Sequence, residues 1–160
     1  MELGNWCKVF IAKGKNLDLL TEVELKKAFG ISDFSSQKAN RIYHLLELVD
    51  ATTAEHQKNS QVFILLVQFL KKCSQEEDFN LTSIVFKVKL MSMLGFFSSK
   101  TIKKPQTKSI FETLEQEDFD VIKDQIRLSQ EAYLKLLSFL DSMIENIAQS
   151  KLKTSRFLDG

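Results

Sequence analysis

This chain is poor in the residues that punctuate a backbone and in those that catalyse. One proline and five glycines in 160 residues exclude a collagen-like or low-complexity chain and leave few obligatory breaks. Two cysteines, Cys7 and Cys73, are too few and too far apart for a disulfide framework or a cysteine-rich metal site. Two histidines, His44 and His56, stand apart with no HExxH or comparable spacing. No metal and no cofactor is expected. The longest purely apolar run, Val62 to Val67, is far too short to span a bilayer. The residues after Met1 lack the basic and apolar regions of a secretory signal, so a cytoplasmic chain with no membrane contact is expected. G-x-G-x-x-G, G-x-x-x-x-G-K-[ST] and G-x-S-x-G are all missing. The chain reads as non-enzymatic, with no small-molecule substrate.

Acidic residues are also missing from one long stretch. Between Asp78 and Glu112 there is none, while Lys87, Lys89, Lys100, Lys103, Lys104 and Lys108 all fall there. The sign then reverses through Glu112, Glu115, Glu117, Asp118, Asp120, Asp124 and Glu131. A net charge of +1 therefore conceals a dipolar distribution. Lysines are point charges suited to phosphate contact, which makes this stretch the one site-like feature. Lys100, Lys103, Lys104 and Lys108 are the first candidates, with Lys151, Lys153 and Arg156 of the basic tail in support.

What is present at the start is a period of two. Around Trp6, Lys8, Val9 and Phe10 the side chains alternate, Lys13-Gly14-Lys15 supplies a turn, and Leu17, Leu19, Thr21, Val23 and Leu25 alternate again. This predicts a β-hairpin, and nothing later in the chain offers it a partner sheet. An isolated hairpin is marginal in water, so these strands need cover from the helices or from other strands.

The rest is helical in pattern. Ser35 or Ser36 can cap a helix with Ala39, Ile42, Tyr43, Leu46 and Val49 inward, ending near Asp50. A second helix from about Gln61 to Cys73 is so apolar that most of its circumference should be covered. Asn80 is placed to cap a third, Leu81 to Leu94, with Lys87 and Lys89 outward and Gly95 as a left-handed terminator. A Ser/Thr/Lys loop around Pro105 follows. Then come a short acidic helix, Gln116 to Leu128, and a longer one from Ser129 to Ile147 with Leu134, Leu137, Phe139, Leu140, Ile144 and Ile147 as its stripe. Cys73 reads as a structural thiol, His44 as a neutral helix histidine, His56 as solvated, and Trp6 as packing the hairpin onto something apolar.

Several segments together resemble the RecO family of recombination mediators. Asn5 to Leu25 is similar to that family's late OB-fold strands. Ala39-Asn-Arg-Ile-Tyr-His-Leu-Leu-Glu-Leu-Val-Asp50 resembles its A-x-Y-x-x-E-L helix, and Asn59-Ser-Gln-Val-Phe63 the polar pair before x-x-L-F. Phe86-Lys-Val-Lys-Leu-Met-Ser-Met-Leu-Gly-Phe96 resembles F-E-x-x-L-L-x-x-L-G-Y, and Leu152 to Leu158 the closing L-K-S-R-x-F-L. Order and spacing agree along nearly the whole chain.

The resemblance implies a mainly α fold, with residues 1–29 a residual OB-fold hairpin and 30–160 a C-terminal helical domain. It implies a DNA repair and homologous recombination mediator that binds single- and double-stranded DNA, anneals strands, and works with RecR and single-strand-binding protein to load RecA. It also implies a pocket for the acidic, Phe-ended tail of single-strand-binding protein, for which Lys87, Lys89 and Phe96 are the candidates. The family's four-cysteine zinc knuckle has no counterpart, since residues 97–111 contain no cysteine. The alternative is a helical protein–protein adaptor that uses strand addition or a helical groove and binds no nucleic acid.

Overall fold

The computed structural model describes residues 2–54, 57–74 and 79–148. His56, Lys151, Lys153, Arg156 and the closing motif at 152–158 lie outside the described residues. Within them the fold is mainly α with an N-terminal antiparallel hairpin, as the sequence pattern predicts, and the hairpin is followed by six α-helices, one more than that pattern gives.

Strand β1, Trp6–Ala12, pairs with β2, Leu19–Lys27, around a loop of residues 13–18. The pairing is regular at Lys8↔Glu24, Val9↔Val23 and Phe10↔Glu22, and irregular on either side. One irregularity lets Thr21 stand as an extra residue between Phe10↔Glu22 and Ile11↔Leu20, so the simple alternation of β2 is broken there. The Thr21 hydroxyl donates to the Phe10 carbonyl at 3.1 Å and closes the irregular step.

Helix α1, Ser36–Thr52, starts where Ser35 accepts a hydrogen bond from the Lys38 amide, and α2, Ser60–Cys73, where the Asn59 side chain accepts from the Val62 amide at 3.1 Å. Helix α3, Phe79–Met93, is apolar around most of its circumference and occupies the centre, packed by α1, α2, α4 and α6. Phe86 lies 4.5 Å from the Phe69 ring of α2, and Ile84, Val88, Leu90 and Met91 are fully enclosed. Each such side chain contributes roughly 1.5–3 kcal/mol of transfer free energy.

The end of α3 follows the expected chemistry. Gly95 sits at φ 77°, its amide donates to Ser92, and the Phe96 amide reaches back to the Met91 carbonyl at 2.9 Å. That is a Schellman closure, which needs a residue tolerant of the left-handed region.

Five expectations are corrected by the structure. The segment around Pro105 is helix α4, Pro105–Gln116: the proline takes the first helical position, where its missing N–H has no partner to lose and its fixed φ suits the turn. The predicted acidic helix is shorter, as α5, Phe119–Gln125, and α6 runs Gln130–Ala148 with Ser129 accepting from the Ala132 amide. In α1 the core stripe is Ile42, Leu45 and Leu48 together with His44, while Tyr43, Leu46 and Val49 are half-buried. The α2 surface is not covered throughout, because Phe63 and Ile64 are exposed. On α6 Leu134 and Phe139 likewise face solvent, and Tyr133 takes a core position.

Candidate nucleic-acid and partner surfaces

The lysine-only stretch is divided by the fold into two classes. Lys87 and Lys89 belong to α3 and are buried, which corrects their expected outward placement. The physical reason is helical geometry on a central helix. Residues two apart point to opposite sides, so two lysines at 87 and 89 cannot share an outer face when every side of α3 is packed.

Each buried lysine is held by a partner. Lys87 forms an ion pair with Asp141 of α6. Burial holds its pKa below the ordinary lysine value, and Asp141 works in the other direction. The Lys89 ammonium donates to the Glu115 carbonyl of α4 at 3.0 Å; burial lowers its pKa, against the field of Asp118, Glu117 and Glu115. These are cross-braces from α3 to α6 and α4, and neither presents a charge to a ligand at the surface.

Around Lys87 lies a small cavity of about 30 Å³, lined by Arg41, His44, Leu45, Ser83, Tyr133 and Leu137 as well. Arg41 donates to the Asn80 side chain at 2.6 Å, so Asn80 tethers α1 to the start of α3. His44 is buried, and burial followed by the Lys87 charge pushes its pKa down to about 4. It is neutral at physiological pH, as its helical setting suggests. Cys73 is buried too, and burial pushes its thiol up to about 12, which leaves no nucleophilic thiolate.

The other four lysines reach the surface. Lys100 lies in a 3₁₀ turn, Ser99–Thr101, Lys103 follows it, Lys104 precedes α4 and Lys108 is in its first turns. The turn is fixed by Glu115, which accepts from both the amide (3.0 Å) and the hydroxyl of Ser99. A hydrogen-bonded turn thus carries surface cations. Lys108 has an exposed i,i+4 companion in Glu112 at 3.8 Å, worth at most a few tenths of a kcal/mol. Lys100, Lys103 and Lys104 make no ion pair among the described residues.

Two apolar surfaces complete the inventory. An open groove of about 660 Å³ is lined by Leu3, Gly4, Tyr43, Leu46, Glu47, Val49, Asp50, Thr53 and Leu66. The α1 residues that line it, Tyr43, Leu46 and Val49, are those the sequence placed in the core. Trp6 meets Phe63 edge-on at 5.7 Å and so packs the base of the hairpin onto α2, as expected of it. Phe96, the third residue expected in the tail pocket, is exposed.

Among the described residues no three histidine, cysteine or acidic side chains gather as a metal cluster, and no helix is long and apolar enough to cross a membrane. No curated protein matches the chain. Residues 41–99 match the family described as Recombination protein O C terminal, a span that takes in most of α1, all of α2 and α3, and the turn at Ser99. Through these central helices the chain is similar to the C-terminal part of recombination protein O.

Proposed function

We propose that this protein is a non-enzymatic mediator of DNA repair and homologous recombination that holds single- and double-stranded DNA by phosphate contacts. The family match to residues 41–99 carries this reading. The lysines at the head of α4 support it, because surface cations on a turn fixed by hydrogen bonds suit phosphates and carry no base readout. Lys100, Lys103, Lys104 and Lys108 form the contact, with Lys151, Lys153 and Arg156 of the tail adding charge. RecR, single-strand-binding protein and RecA are the partners this role calls for. The acidic tail of single-strand-binding protein would use Phe96 as its apolar contact, with the cations of residues 100–108 in place of Lys87 and Lys89.

The test is fluorescence anisotropy with a labelled single-stranded oligonucleotide. Wild-type affinity should fall with salt with a log–log slope of about −3 from the four lysines at the head of α4, steepening toward about −5 where the three tail cations also engage, since each single-strand phosphate contributes about −0.7. Reversing Lys100, Lys103, Lys104 and Lys108 to Glu should weaken binding at least tenfold and flatten that slope. Unchanged binding would remove the α4 lysines from the interface. A second reading, a helical adaptor, is favoured by the open groove beside α1; it predicts no salt-dependent DNA affinity at all.

A further inference from the structure

Glu115 stands against the turn that opens the lysine segment, where charge alone would make a carboxylate a poor neighbour for phosphate. Its bonds, however, go to the backbone turn and not to the lysines of the segment. One carboxylate oxygen accepts from the Ser99 amide at 3.0 Å and the other from the Ser99 hydroxyl, and Ser99 is only 2% exposed. The main-chain carbonyl of Glu115 accepts from the buried Lys89 ammonium at 3.0 Å, which ties the same residue to α3. Among the described residues the acid that pairs with a lysine of this segment is Glu112, on Lys108.

Helix α4 thereby holds both ends of the segment. Ser99 hangs on Glu115 in its last turn, while Pro105 is its first residue. The ten residues from Pro105 to Glu115 span about 15 Å of helix axis at 1.5 Å per residue. Residues 99–105 have to cover that distance in six steps, so they return along α4 as a strap. Its backbone is fixed at the Ser99 end: the Lys100 amide donates to the Ser98 hydroxyl at 3.3 Å, the Thr101 hydroxyl to the Ser98 carbonyl at 2.8 Å, and the Ile102 amide to the Ser99 carbonyl at 3.0 Å. Phe97, just ahead of the strap, stands 5.0 Å from the Phe111 ring of α4.

We propose that Glu115 is a positioning residue for DNA: by clasping Ser99 it holds the strap on which Lys100, Lys103 and Lys104 meet the phosphates. This rests on the reading that those lysines contact phosphate. Glu115 itself touches no phosphate and acts through Ser99. A strap already in place gives up less conformational freedom when a strand lies along it. The two effects of Glu115 on DNA oppose each other, and the clasp outweighs the charge. Repulsion across solvent is weakened by the dielectric of water and by salt. Two hydrogen bonds onto a buried residue, each assisted by the carboxylate charge, are among the stronger contacts a side chain makes.

Fluorescence anisotropy of a labelled single-stranded oligonucleotide with the full chain, at matched salt, separates positioning from charge by the sign of the change. Glu115→Ala should weaken binding about threefold to tenfold and flatten the salt slope by about 0.7, one phosphate contact. Glu115→Gln should bind at least as tightly as wild type, because its amide oxygen accepts from the Ser99 N–H, its amide nitrogen donates to the Ser99 oxygen, and its charge is gone. Ser99→Ala removes one bond and no charge; it should weaken binding about twofold, and it serves where Glu115→Ala does not fold. Tighter binding by Glu115→Ala would mean that charge decides, and overturns the proposal. So does wild-type affinity in both alanine variants, or a Glu115→Gln variant as weak as Glu115→Ala. A tenfold loss on reversing the four lysines in those cases leaves the DNA reading standing, whereas a reversal without effect removes the phosphate site and this role with it.

Discussion

Helix α3 and the hairpin are similar in length and in apolar content, yet they have opposite fates. Twelve of the fifteen residues of α3 are buried, including two lysines. In the hairpin every strand residue is exposed except the half-buried Cys7. The difference lies in where backbone polar groups are satisfied. A helix closes its hydrogen bonds internally and can be surrounded by apolar neighbours on every side, so α3 becomes an axle for α1, α2, α4 and α6. A two-stranded ribbon leaves each outer edge unpaired, and its apolar residues meet only one another across the ladder. The helical body therefore holds the stability of the molecule, and the hairpin is a lightly attached appendage.

The largest test of that division is Phe86→Ala against Val23→Ala. Phe86 is fully enclosed beside Phe69, so its truncation leaves a cavity and should lower the stability of the helical transition by about 3–5 kcal/mol, read by urea denaturation followed by circular dichroism at 222 nm. Val23 is 38% exposed on a strand that barely touches the body, and its truncation should shift the same midpoint by less than about 0.5 kcal/mol. Equal losses at the two sites would mean that hairpin and helices unfold as one unit.

A second test uses pH. His44 has a folded pKa of about 4 against 6.5 in the unfolded chain. Between those values the unfolded state binds more protons, so stability is complete above pH 6.5 and is lost as pH falls through 4. At one pKa unit per 1.36 kcal/mol the loss approaches about 3 kcal/mol by pH 4. His44→Leu should flatten the dependence of the urea midpoint over that window. A variant whose midpoint falls as steeply as wild type would assign the acid sensitivity to other groups.

The two regions were also unequally legible. The hairpin, the start of α1 and the end of α3 were readable because Ser35 and Gly95 are local signals whose side chain or backbone freedom acts within a turn. The resemblance to RecO was readable from motif order, and the family match falls on α1 to α3. What escaped depends on tertiary surroundings. Pro105 can break a helix or begin one, and only the packing of Phe111 and Leu114 against the core decides that it begins α4. In α1 two overlapping apolar stripes compete, and the position of α3 selects Ile42, Leu45 and Leu48. Lys87 and Lys89 looked like surface cations because no sequence signal announces Asp141, fifty-four residues on from Lys87, or the Glu115 carbonyl. Their spacing did hold a clue, since residues two apart on a helix cannot share an outward face.

The finest test compares two glycines at the ends of the two regions. Gly95 closes α3 at φ 77°, and a Cβ there meets no atom within 4 Å, so Gly95→Ala costs only the left-handed backbone strain, about 1 kcal/mol. Gly14 lies in the hairpin loop, where a Cβ would strike the Leu17 carbonyl oxygen, and Gly14→Ala must rebuild the turn. Steric conflict is thus far worse at Gly14, yet the prediction runs the other way for the body. Gly95→Ala should lower the midpoint at 222 nm by about 1 kcal/mol, while Gly14→Ala should leave it in place and speed proteolysis within residues 13–18 instead. If Gly14→Ala moved the helical midpoint as far as Gly95→Ala does, the contact of Trp6 with Phe63 would have to couple the hairpin to the core far more strongly than one exposed edge-on pair can.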